Sequence, residues 1–538
     1  MPTRQARTGQ RGRRLRPTLT HAGATRYRRP GGPWDRGGLD ESFAPSGGAL
    51  VDGTGRLEPG RVEDAVAGLA GRLRAAGVRR GDVVSWQLPN GAAAVVLYRA
   101  CWRLGAVAAP VHHRMGAGEV SAALEQVDPA VVVADASLPA AGHGAPVVPG
   151  GNSVDSLLEA FPPAPGVEGG ASPARPTDLA VALFTSGSTG TPKVVLHTHR
   201  GLGYKAGLMA EVHGLDRHDA ALMPAPLAHV SGLLNGVLIP SVVGIPSVVM
   251  ATWDPDAALH LIEDHKVSFM GAPPVFFSQM AASGAFSPER VSSLRLVSTG
   301  GASVSPAFVD TVSAAFACRV KRTYGSTEAP TVTTSRPHDP ADRARDTDGH
   351  PVGEVELQIR DPEKGTEVEV GAPGEIWLRG PELFVGYADP LATARALSST
   401  GRWFRTGDLG TVDEAGWLCV VGRLSDVIIR AGENISASEV EAALEAHPAV
   451  RHAVAVGYPD AQVGERVAAF VEATGPFDLD ACRSWFAERG VTRFKTPELV
   501  VRVEAIPVLA TGKADRAALR TMAVDAARTR TAETASPR

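Results

Sequence analysis

The sequence predicts an α/β protein with a large N-terminal domain of helix-covered, mostly parallel sheets and a small C-terminal α+β domain. First, the 538 residues exceed what one hydrophobic core usually holds, so at least two folding units are expected. Second, short apolar runs alternate with segments of helical periodicity through the first part of the chain, which is typical of a parallel sheet. Third, about the last hundred residues repeat strand, helix and strand as a unit of their own.

The predicted elements follow one another at short intervals. The first helix begins near Gly60, where Val62, Val66 and Leu69 recur every three to four residues. The elements predicted after it are a strand within 80–90, a helix over 92–104, a strand over 106–111, a helix over 117–126 and a strand over 130–134. In the C-terminal part we predict a helix over 438–446, strands over 450–456 and 467–471, a helix over 479–489 and a strand over 499–503.

The composition, 44% apolar and 21% charged, is that of a soluble globular protein, and no stretch approaches the roughly 20 apolar residues of a membrane span. The four cysteines are scattered without C-x-x-C spacing, so we expect a reducing, cytoplasmic environment and neither disulfides nor a zinc site. We also expect His112 and His113 to point in different directions, which argues against a metal site there.

Residues 1–38 carry ten arginines and a single acid, Asp35. A basic tail can bind nucleic acid or acidic lipid. The favoured interpretations are a disordered extension or a start codon placed too far upstream, so no nucleic-acid or membrane partner is expected. The pair Arg13-Arg14 lacks the apolar segment that would follow it in an export signal.

The stretch from Thr185 to Lys193, Thr-Ser-Gly-Ser-Thr-Gly-Thr-Pro-Lys, follows the apolar run 180–184. Its backbone N–H groups, its hydroxyls and the Lys193 ammonium form a set of donors suited to a polyphosphate. The spacing differs from that of the Walker P-loop because Pro192 precedes Lys193. The plainer alternative is a Ser/Gly-rich surface turn.

Further motifs lie downstream in a fixed order. The run 294–302 ends in the double glycine Gly300-Gly301, which would let the backbone approach a flat ligand closely. Tyr324-Gly325-Ser326-Thr327-Glu328 combines an aromatic face with a carboxylate, the ligand that a hard divalent cation prefers. Other motif segments are 226–232 around His229, 403–410 around Asp408, 420–429 around Arg423 and 507–513 ending at Lys513.

This ordered series resembles the adenylate-forming enzymes, which include acyl- and aryl-CoA synthetases, luciferases and peptide-synthetase adenylation domains. The resemblance covers about residues 45–520. It implies catalytic roles for Lys513, Glu328, Thr185 and His229, with His229 beside the acyl tunnel, and a magnesium site at Thr185 and Glu328. The nucleotide-binding residues that it implies are Thr185, Ser186, Gly187, Ser188, Thr189, Gly190, Lys193, Gly300, Gly301, Ala302, Tyr324, Gly325, Thr327, Asp408, Arg423 and Lys513.

The resemblance also implies the reaction. A carboxylic acid attacks the α-phosphorus of Mg·ATP, pyrophosphate leaves, and the acyl adenylate is captured by a nucleophile. We expect CoA as acceptor, because the length suits a free-standing CoA ligase; the alternative is a carrier-protein thiol, an amine or another small nucleophile. A regulator without catalysis is disfavoured, since Lys513, Glu328 and Asp408 are all present.

The predicted domain organisation is a basic extension at 1–40, an AMP-binding domain at 41–424, a mobile domain at 425–525 and a frayed tail at 526–538. Ser425 stands at the predicted pivot, where the family usually has Asp or Lys. A homodimer is a further expectation.

Overall fold

The computed structural model describes residues 37–44, 47–135, 147–149, 153–161, 174–185, 192–302, 304–431, 433–460, 462–509 and 514–535. The predictions for the basic tail up to residue 36, for the centre of the phosphate loop and for Lys513 therefore lie outside the described residues.

The strands, in chain order, are β1 (Leu50–Asp52), β2 (Gly55–Leu57), β3 (Val83–Gln87), β4 (Val107–Pro110), β5 (Val131–Ala134), β6 (Val147–Pro149), β7 (Leu179–Thr185), β8 (Lys193–Thr198), β9 (Ala221–Met223), β10 (Ser247–Val249), β11 (Phe269–Ala272), β12 (Leu296–Gly300), β13 (Arg319–Tyr324), β14 (Thr333–Thr334), β15 (His350–Pro351), β16 (Glu356–Arg360), β17 (Gly374–Arg379), β18 (Phe404–Val412), β19 (Leu418–Arg423), β20 (Val427–Arg430), β21 (Glu433–Ser436), β22 (Val450–Asp460), β23 (Gly464–Ala473) and β24 (Leu499–Arg502).

The helices are α1 (Pro59–Ala75), α2 (Ala92–Leu104), α3 (Ala117–Val127), α4 (Val154–Ala160), α5 (His199–His213), α6 (Val230–Gly232), α7 (Ile239–Val243), α8 (Pro255–His265), α9 (Pro274–Ala282), α10 (Pro306–Phe316), α11 (Ala341–Asp346), α12 (Pro390–Ala396), α13 (Ala437–Glu445), α14 (Leu479–Glu488) and α15 (Arg516–Ala535). A π-helical turn (Leu233–Leu238) joins α6 to α7, and short 3₁₀ turns lie at Leu39–Ser42, Leu424–Asp426 and Arg493–Lys495.

The chain divides into two compact units. The larger unit holds residues up to 345, 349–356 and 379–404; the smaller holds 346–348, 357–378 and the chain from 405 onward. The boundaries predicted from the sequence, at 40/41 and 424/425, stay predictions.

Two helix-covered sheets build the larger unit. One has nine strands in the order β15-β14-β13-β12-β11-β9-β10-β1-β2, and the other has six in the order β6-β5-β3-β4-β7-β8. Strands β13, β12, β11, β9, β10 and β1 are parallel neighbours, as are β6, β5, β3, β4 and β7. This arrangement confirms the fold class predicted from the alternating pattern.

Helix α2 is buried along nearly all of its length, which explains its almost uninterrupted apolar sequence. The Tyr98 ring meets the Trp86 ring edge-on at 4.7 Å, and the Trp102 indole N–H donates to the carbonyl of Ala180 at 3.0 Å. The core of this unit begins before residue 41, because Leu39 is buried and Asp40 pairs with Arg99 at 3.1 Å.

The smaller unit contains a four-stranded sheet, β16-β17-β18-β19, and a five-stranded sheet of β20 to β24. Successive side chains of β22 alternate between two apolar clusters, so helices cover both faces of the five-stranded sheet. Helices α13 and α14 contribute to one cluster and α15 to the other. Helix α15 continues to Ala535, beyond the predicted start of a frayed tail at 526, since Ala526 and Ala527 pack against the second cluster.

All four cysteines are free thiols. Among the described residues no helix is both long and apolar enough to cross a bilayer.

Candidate functional site

The ends of the predicted phosphate loop lie side by side. Strands β7 and β8 are antiparallel, and Thr185 is the partner of Lys193 in their last pair. The Thr185 hydroxyl donates to the Lys193 carbonyl at 3.4 Å. The hairpin therefore brings a hydroxyl and an ammonium to one edge of the six-stranded sheet. Ser186, Gly187, Ser188, Thr189 and Gly190 lie outside the described residues.

Tyr387 connects this hairpin to Glu328. The Lys193 Nζ lies 5.4 Å from the centre of the Tyr387 ring, and the Tyr387 hydroxyl donates to Glu328 Oε1 at 2.6 Å. The pKa of Tyr387 is raised, chiefly by burial and then by the Glu328 charge, so the phenol stays protonated and is the donor. The Lys193 ammonium, the Tyr387 ring and the Glu328 carboxylate thus lie in a row in space, with the ring between the two charges.

The position of Tyr387 is set by the backbone on both sides of it. Leu196 N–H donates to the Gly386 carbonyl at 3.0 Å, and Ala388 N–H donates to the Val194 carbonyl at 2.9 Å. The segment 385–388 therefore runs along β8 as an added edge. Tyr387 and Glu328 are 59 residues apart in the sequence, so no local pattern indicates that the ring reaches this carboxylate.

The segment after β13 is held by backbone contacts. Phe384 N–H donates to the Glu328 carbonyl at 2.8 Å, and the Ser326 N–H donates to Ala329 at 2.9 Å. At Gly325 a Cβ atom would lie 2.4 Å from the Thr331 nitrogen, so only glycine fits this turn. The loop that carries Thr327 and Glu328 is consequently fixed at the carboxyl end of a parallel strand.

His197 supports the same loop from β8. Its Nε2 lies 2.7 Å from the Thr327 carbonyl, which can only accept, so Nε2 carries the proton. The side chain is fully buried, and burial lowers its pKa to about 4. His197 is therefore a neutral donor near neutral pH. Sequence reasoning gave it no role, since a histidine inside an apolar strand has no distinctive spacing.

Gly300 and Gly301 lie next to this loop. Strands β12 and β13 are parallel with Gly300 opposite Thr323, so their carboxyl ends meet at one edge of the nine-stranded sheet. A Cβ at Gly300 would lie 2.2 Å from the Thr323 carbonyl oxygen, which excludes any other residue. Gly301 has φ of +77° with open space beside it, and Ala302 is exposed. The carboxyl ends of parallel strands are the usual place for ligands in such sheets.

His229 immediately precedes helix α6, at the end of a segment held by Asn90. The Asn90 side chain accepts from Leu227 N–H at 2.8 Å and donates to the Ala225 carbonyl at 2.9 Å. His229 is half-buried, and its charge is among those that lower the pKa of nearby His112 to about 4, after burial and His113.

The expectation that His112 and His113 point in different directions is wrong, because their rings stack with centres 4.8 Å apart. In the described part of the chain, however, no group of three or more His, Cys, Asp or Glu side chains could hold a metal ion by itself.

Two predicted nucleotide residues of the smaller unit contact each other directly. Asp408 and Arg423 face each other on the antiparallel strands β18 and β19, and Arg423 Nε donates to Asp408 Oδ1 at 2.6 Å. The Asp408 side chain is 6% exposed and that of Arg423 is 53% exposed. A buried carboxylate is thus paired with a more accessible guanidinium. Lys513, the predicted catalytic lysine, lies outside the described residues.

Family models match both parts of the chain. A family model described as "AMP-binding enzyme" matches residues 44–388, and one described as "AMP-binding enzyme C-terminal domain" matches residues 439–513. The medium-chain fatty-acid–CoA ligase of Escherichia coli (strain K12) is 32% identical over 486 residues, which are 85% of this chain and 84% of that protein.

Two further proteins widen the comparison. Pyochelin synthase PchD of Pseudomonas aeruginosa (strain UCBPP-PA14) is 32% identical over 522 residues, 91% of this chain and 93% of its own. The crystal structure of ATP-bound MatB from Rhodopseudomonas palustris superposes with a TM-score of 0.83 at 26% identity, covering 90% of this chain and 98% of MatB.

Proposed function

The chain belongs to the AMP-binding enzyme family, and on that premise we propose that it is a carboxylate–CoA ligase whose nucleotide site lies around Lys193, Tyr387 and Glu328. The enzyme activates a carboxylic acid as an acyl adenylate and passes the acyl group to the thiol of CoA or of a carrier protein. In the first step a carboxylate oxygen attacks the α-phosphorus of ATP, and the bond to pyrophosphate breaks. In the second step a thiolate attacks the acyl carbon, and AMP leaves.

The arrangement of Lys193, Tyr387 and Glu328 carries this proposal. Lys193, at the end of the phosphate-loop hairpin, places a positive charge where the polyphosphate would lie. The hydrogen bond from Tyr387 fixes the Glu328 carboxylate beside it. Charge neutralisation and positioning are the main contributions that a protein can make to such a phosphoryl-centre reaction.

The oxygen atoms available as ligands fit a magnesium ion. Glu328 Oε1 accepts from Tyr387, whereas Oε2 has no hydrogen-bond partner within the residues that the structure describes. One carboxylate oxygen with a hydroxyl such as that of Thr185 suits Mg²⁺, which is usually bound by one or two protein ligands together with substrate phosphates. When bound there, the ion supplies positive charge that balances the departing pyrophosphate.

The remaining assignments of the larger unit follow from the same loops. Gly301 and Ala302 offer an open backbone turn for the adenine, and the Tyr324 ring is the predicted stacking partner. Thr327, held through its carbonyl by His197, would donate to the α-phosphate.

In the smaller unit we assign Asp408 to the two ribose hydroxyls, because a carboxylate can accept from both at once. Arg423 holds that carboxylate and would contact the ribose or a phosphate. Lys513 would neutralise the two anions that meet in the first step.

CoA is the proposed acceptor, on the strength of the similarity to a fatty-acid–CoA ligase over most of both chains. His229 would line the acyl pocket.

The free thiols suit the reducing cytoplasm, where we place the enzyme.

The test is an ATP–pyrophosphate exchange screen over aliphatic, aryl and amino acids, repeated as a product assay with and without CoA. Acid-dependent exchange together with a CoA thioester is the expected result. Exchange without any CoA-dependent thioester would move the assignment to another acceptor, such as a carrier-protein thiol. No exchange with any acid class would contradict the proposed activity.

A further inference from the structure

A cavity lies at the opposite end of the nine-stranded sheet from the nucleotide loops. It has a volume of about 170 Å³ and borders Leu296 and Arg319, which are paired first residues of the parallel strands β12 and β13. Gly300 and Tyr324, at the other ends of these strands, belong to the proposed nucleotide site. The cavity is therefore separated from that site by the length of the two strands.

The lining of this cavity is basic. Seven described residues line it. Three of them are Gly214, Leu296 and Pro337, and the other four are basic: His213, Arg295, Arg319 and Lys321. The chain as a whole contains more acids than bases, 58 against 54. A concave surface with only basic ionisable side chains is thus a local departure from the composition, and it produces a positive potential.

Within the described residues, one of these four side chains forms an ion pair with a carboxylate. Arg295 pairs with Asp219 at 2.6 Å. Arg319 instead donates to the backbone carbonyls of Arg336 and Pro337, and it has no ion pair among the described residues. Its positive charge is hydrogen-bonded but not balanced.

Lys321 is in the same situation and is more deeply buried. Its side chain donates to the carbonyls of Val212 and Ser335 at 3.1 and 2.9 Å, and only 1% of the residue is exposed. Lys321 lies two residues after Arg319 on β13, so both side chains are on one face of the strand. Burial, followed by the Arg319 charge, lowers the pKa of Lys321 to about 7.

The end of helix α5 supplies carbonyls to this region, but they already have partners. Lys321 uses the carbonyl of Val212, and Arg295 uses that of Gly214 at 2.7 Å. His213, 3% exposed, packs its ring against Phe269 with centres 5.0 Å apart, and its Nδ1 has no hydrogen-bond partner in the described part of the chain. An unpartnered buried nitrogen and two basic side chains without an ion pair among the described residues therefore border one cavity, an arrangement that a bound anion would stabilise.

We propose that this cavity binds a small oxyanion of the phosphate class through Lys321 and Arg319. Two adjacent cations with several N–H donors match an oxyanion that accepts several hydrogen bonds at once. This site is independent of the adenylation chemistry and goes beyond the proposed function.

The experiment uses inorganic phosphate as the probe, by isothermal titration calorimetry at constant ionic strength set with sodium chloride. All proteins carry Lys193→Ala, so that the nucleotide site loses its proposed phosphate-binding cation. We expect one phosphate site in this background and at least about tenfold weaker binding when Lys321→Met is added, as for the loss of a charged hydrogen-bond donor. Lys266→Met, at an exposed lysine, is the matched control and should leave binding unchanged.

A second variant, Arg319→Gln, keeps the test valid if Lys321→Met does not fold, and it should also weaken phosphate binding. The proposal is overturned if either variant binds phosphate as tightly as the Lys193→Ala background. It is equally overturned if that background binds no phosphate, or if acetate binds as tightly as phosphate.

Discussion

The Tyr387 hydroxyl donates to Glu328 Oε1 at 2.6 Å while the ring of the same tyrosine lies 5.4 Å from the Lys193 ammonium. One side chain therefore sets the position of both charged groups that we assign to the ATP phosphates. The substitution Tyr387→Phe removes the hydrogen bond to Glu328 but keeps the ring beside Lys193, so it tests the first contact without the second.

We expect Tyr387→Phe to reduce ATP–pyrophosphate exchange by about tenfold or more, since hydrogen bonds to charged groups contribute about 1.5–3 kcal/mol. The loss should be largest at low Mg²⁺ concentration, because Glu328 is the proposed magnesium ligand. The matched control is Tyr204→Phe. The Tyr204 hydroxyl accepts from the Glu354 N–H at 2.8 Å and lies outside the proposed site, so its loss should not change the Mg²⁺ dependence. An exchange rate that falls equally at every Mg²⁺ concentration would argue against the positioning role.

A second prediction concerns the ion pair between Lys205 and Glu382, whose side chains are both 0% exposed and 2.9 Å apart. Lys205 also donates to the carbonyl of Thr331 at 3.0 Å, just after the loop that carries Glu328. We expect Lys205→Met to destabilise the larger unit by about 3–5 kcal/mol, because it leaves a buried carboxylate unpaired.

The control for that prediction is the double variant Lys205→Met with Glu382→Leu. Replacing both partners of a buried pair by apolar residues is often neutral or stabilising, so the double variant should recover most of the lost thermal stability. Thermal unfolding of both proteins measures this. If the double variant is no more stable than the single one, the unpaired charge is not the cause.

The contrast between these residues shows what the sequence can predict. The Gly300 and Gly325 turns and the Glu328 carboxylate belong to local motifs, and the parallel strands follow from local periodicity. Lys205 and Glu382 are far apart in sequence, and a lysine inside a helix is ordinarily at the surface. The two side chains meet because α5 packs against the loop after Tyr324, and no local sequence pattern indicates this contact.

A third prediction concerns acid stability. Burial lowers the folded-state pKa of His197 from 6.5 to about 4. Below pH 6.5 the unfolded chain takes up a proton there that the folded protein does not, so folding stability is lost as the pH falls from 6.5 toward 4. At pH 5 the loss from this one group is about 2 kcal/mol.

The variant His197→Gln keeps an N–H donor for the Thr327 carbonyl but cannot titrate. Its melting temperature should therefore fall less than that of the parent between pH 7.5 and pH 5. His260→Gln, at an exposed histidine, is the control and should follow the parent. Parallel curves for His197→Gln and the parent would show that His197 does not control this dependence.

The fourth prediction addresses the paired residues of the smaller unit. Asp408→Ala should weaken ATP binding by about 1.5–3 kcal/mol, as expected for loss of a charged hydrogen-bond partner. Ribose contacts are similar in the ground and transition states, so the Michaelis constant for ATP should rise more than the turnover number falls. Arg423→Leu serves as the comparison, because it removes the 2.6 Å contact but leaves the carboxylate. An unchanged Michaelis constant in Asp408→Ala would contradict the ribose assignment.

The last prediction concerns the pivot that the sequence places at Ser425. This residue lies in a 3₁₀ turn, Leu424–Asp426, and its carbonyl accepts from Arg520 at 3.1 Å. The neighbouring Asp426 pairs with Arg516 of helix α15 at 3.2 Å, so the residues on both sides of this backbone position are tied to that helix through Asp426 and the Ser425 carbonyl.

A hinge residue must change its backbone dihedral angles between two states. Ser425→Pro fixes φ near roughly −65°, close to the value in a 3₁₀ turn, and so should hold this turn in one conformation. We expect pyrophosphate release in a single turnover to be retained or modestly slowed, while thioester formation over many turnovers falls by at least about tenfold. Ser425→Ala, which leaves the backbone free, should behave like the parent. If both half-reactions fall equally in Ser425→Pro, or neither falls, the pivot and the domain boundary after Leu424 are wrongly placed.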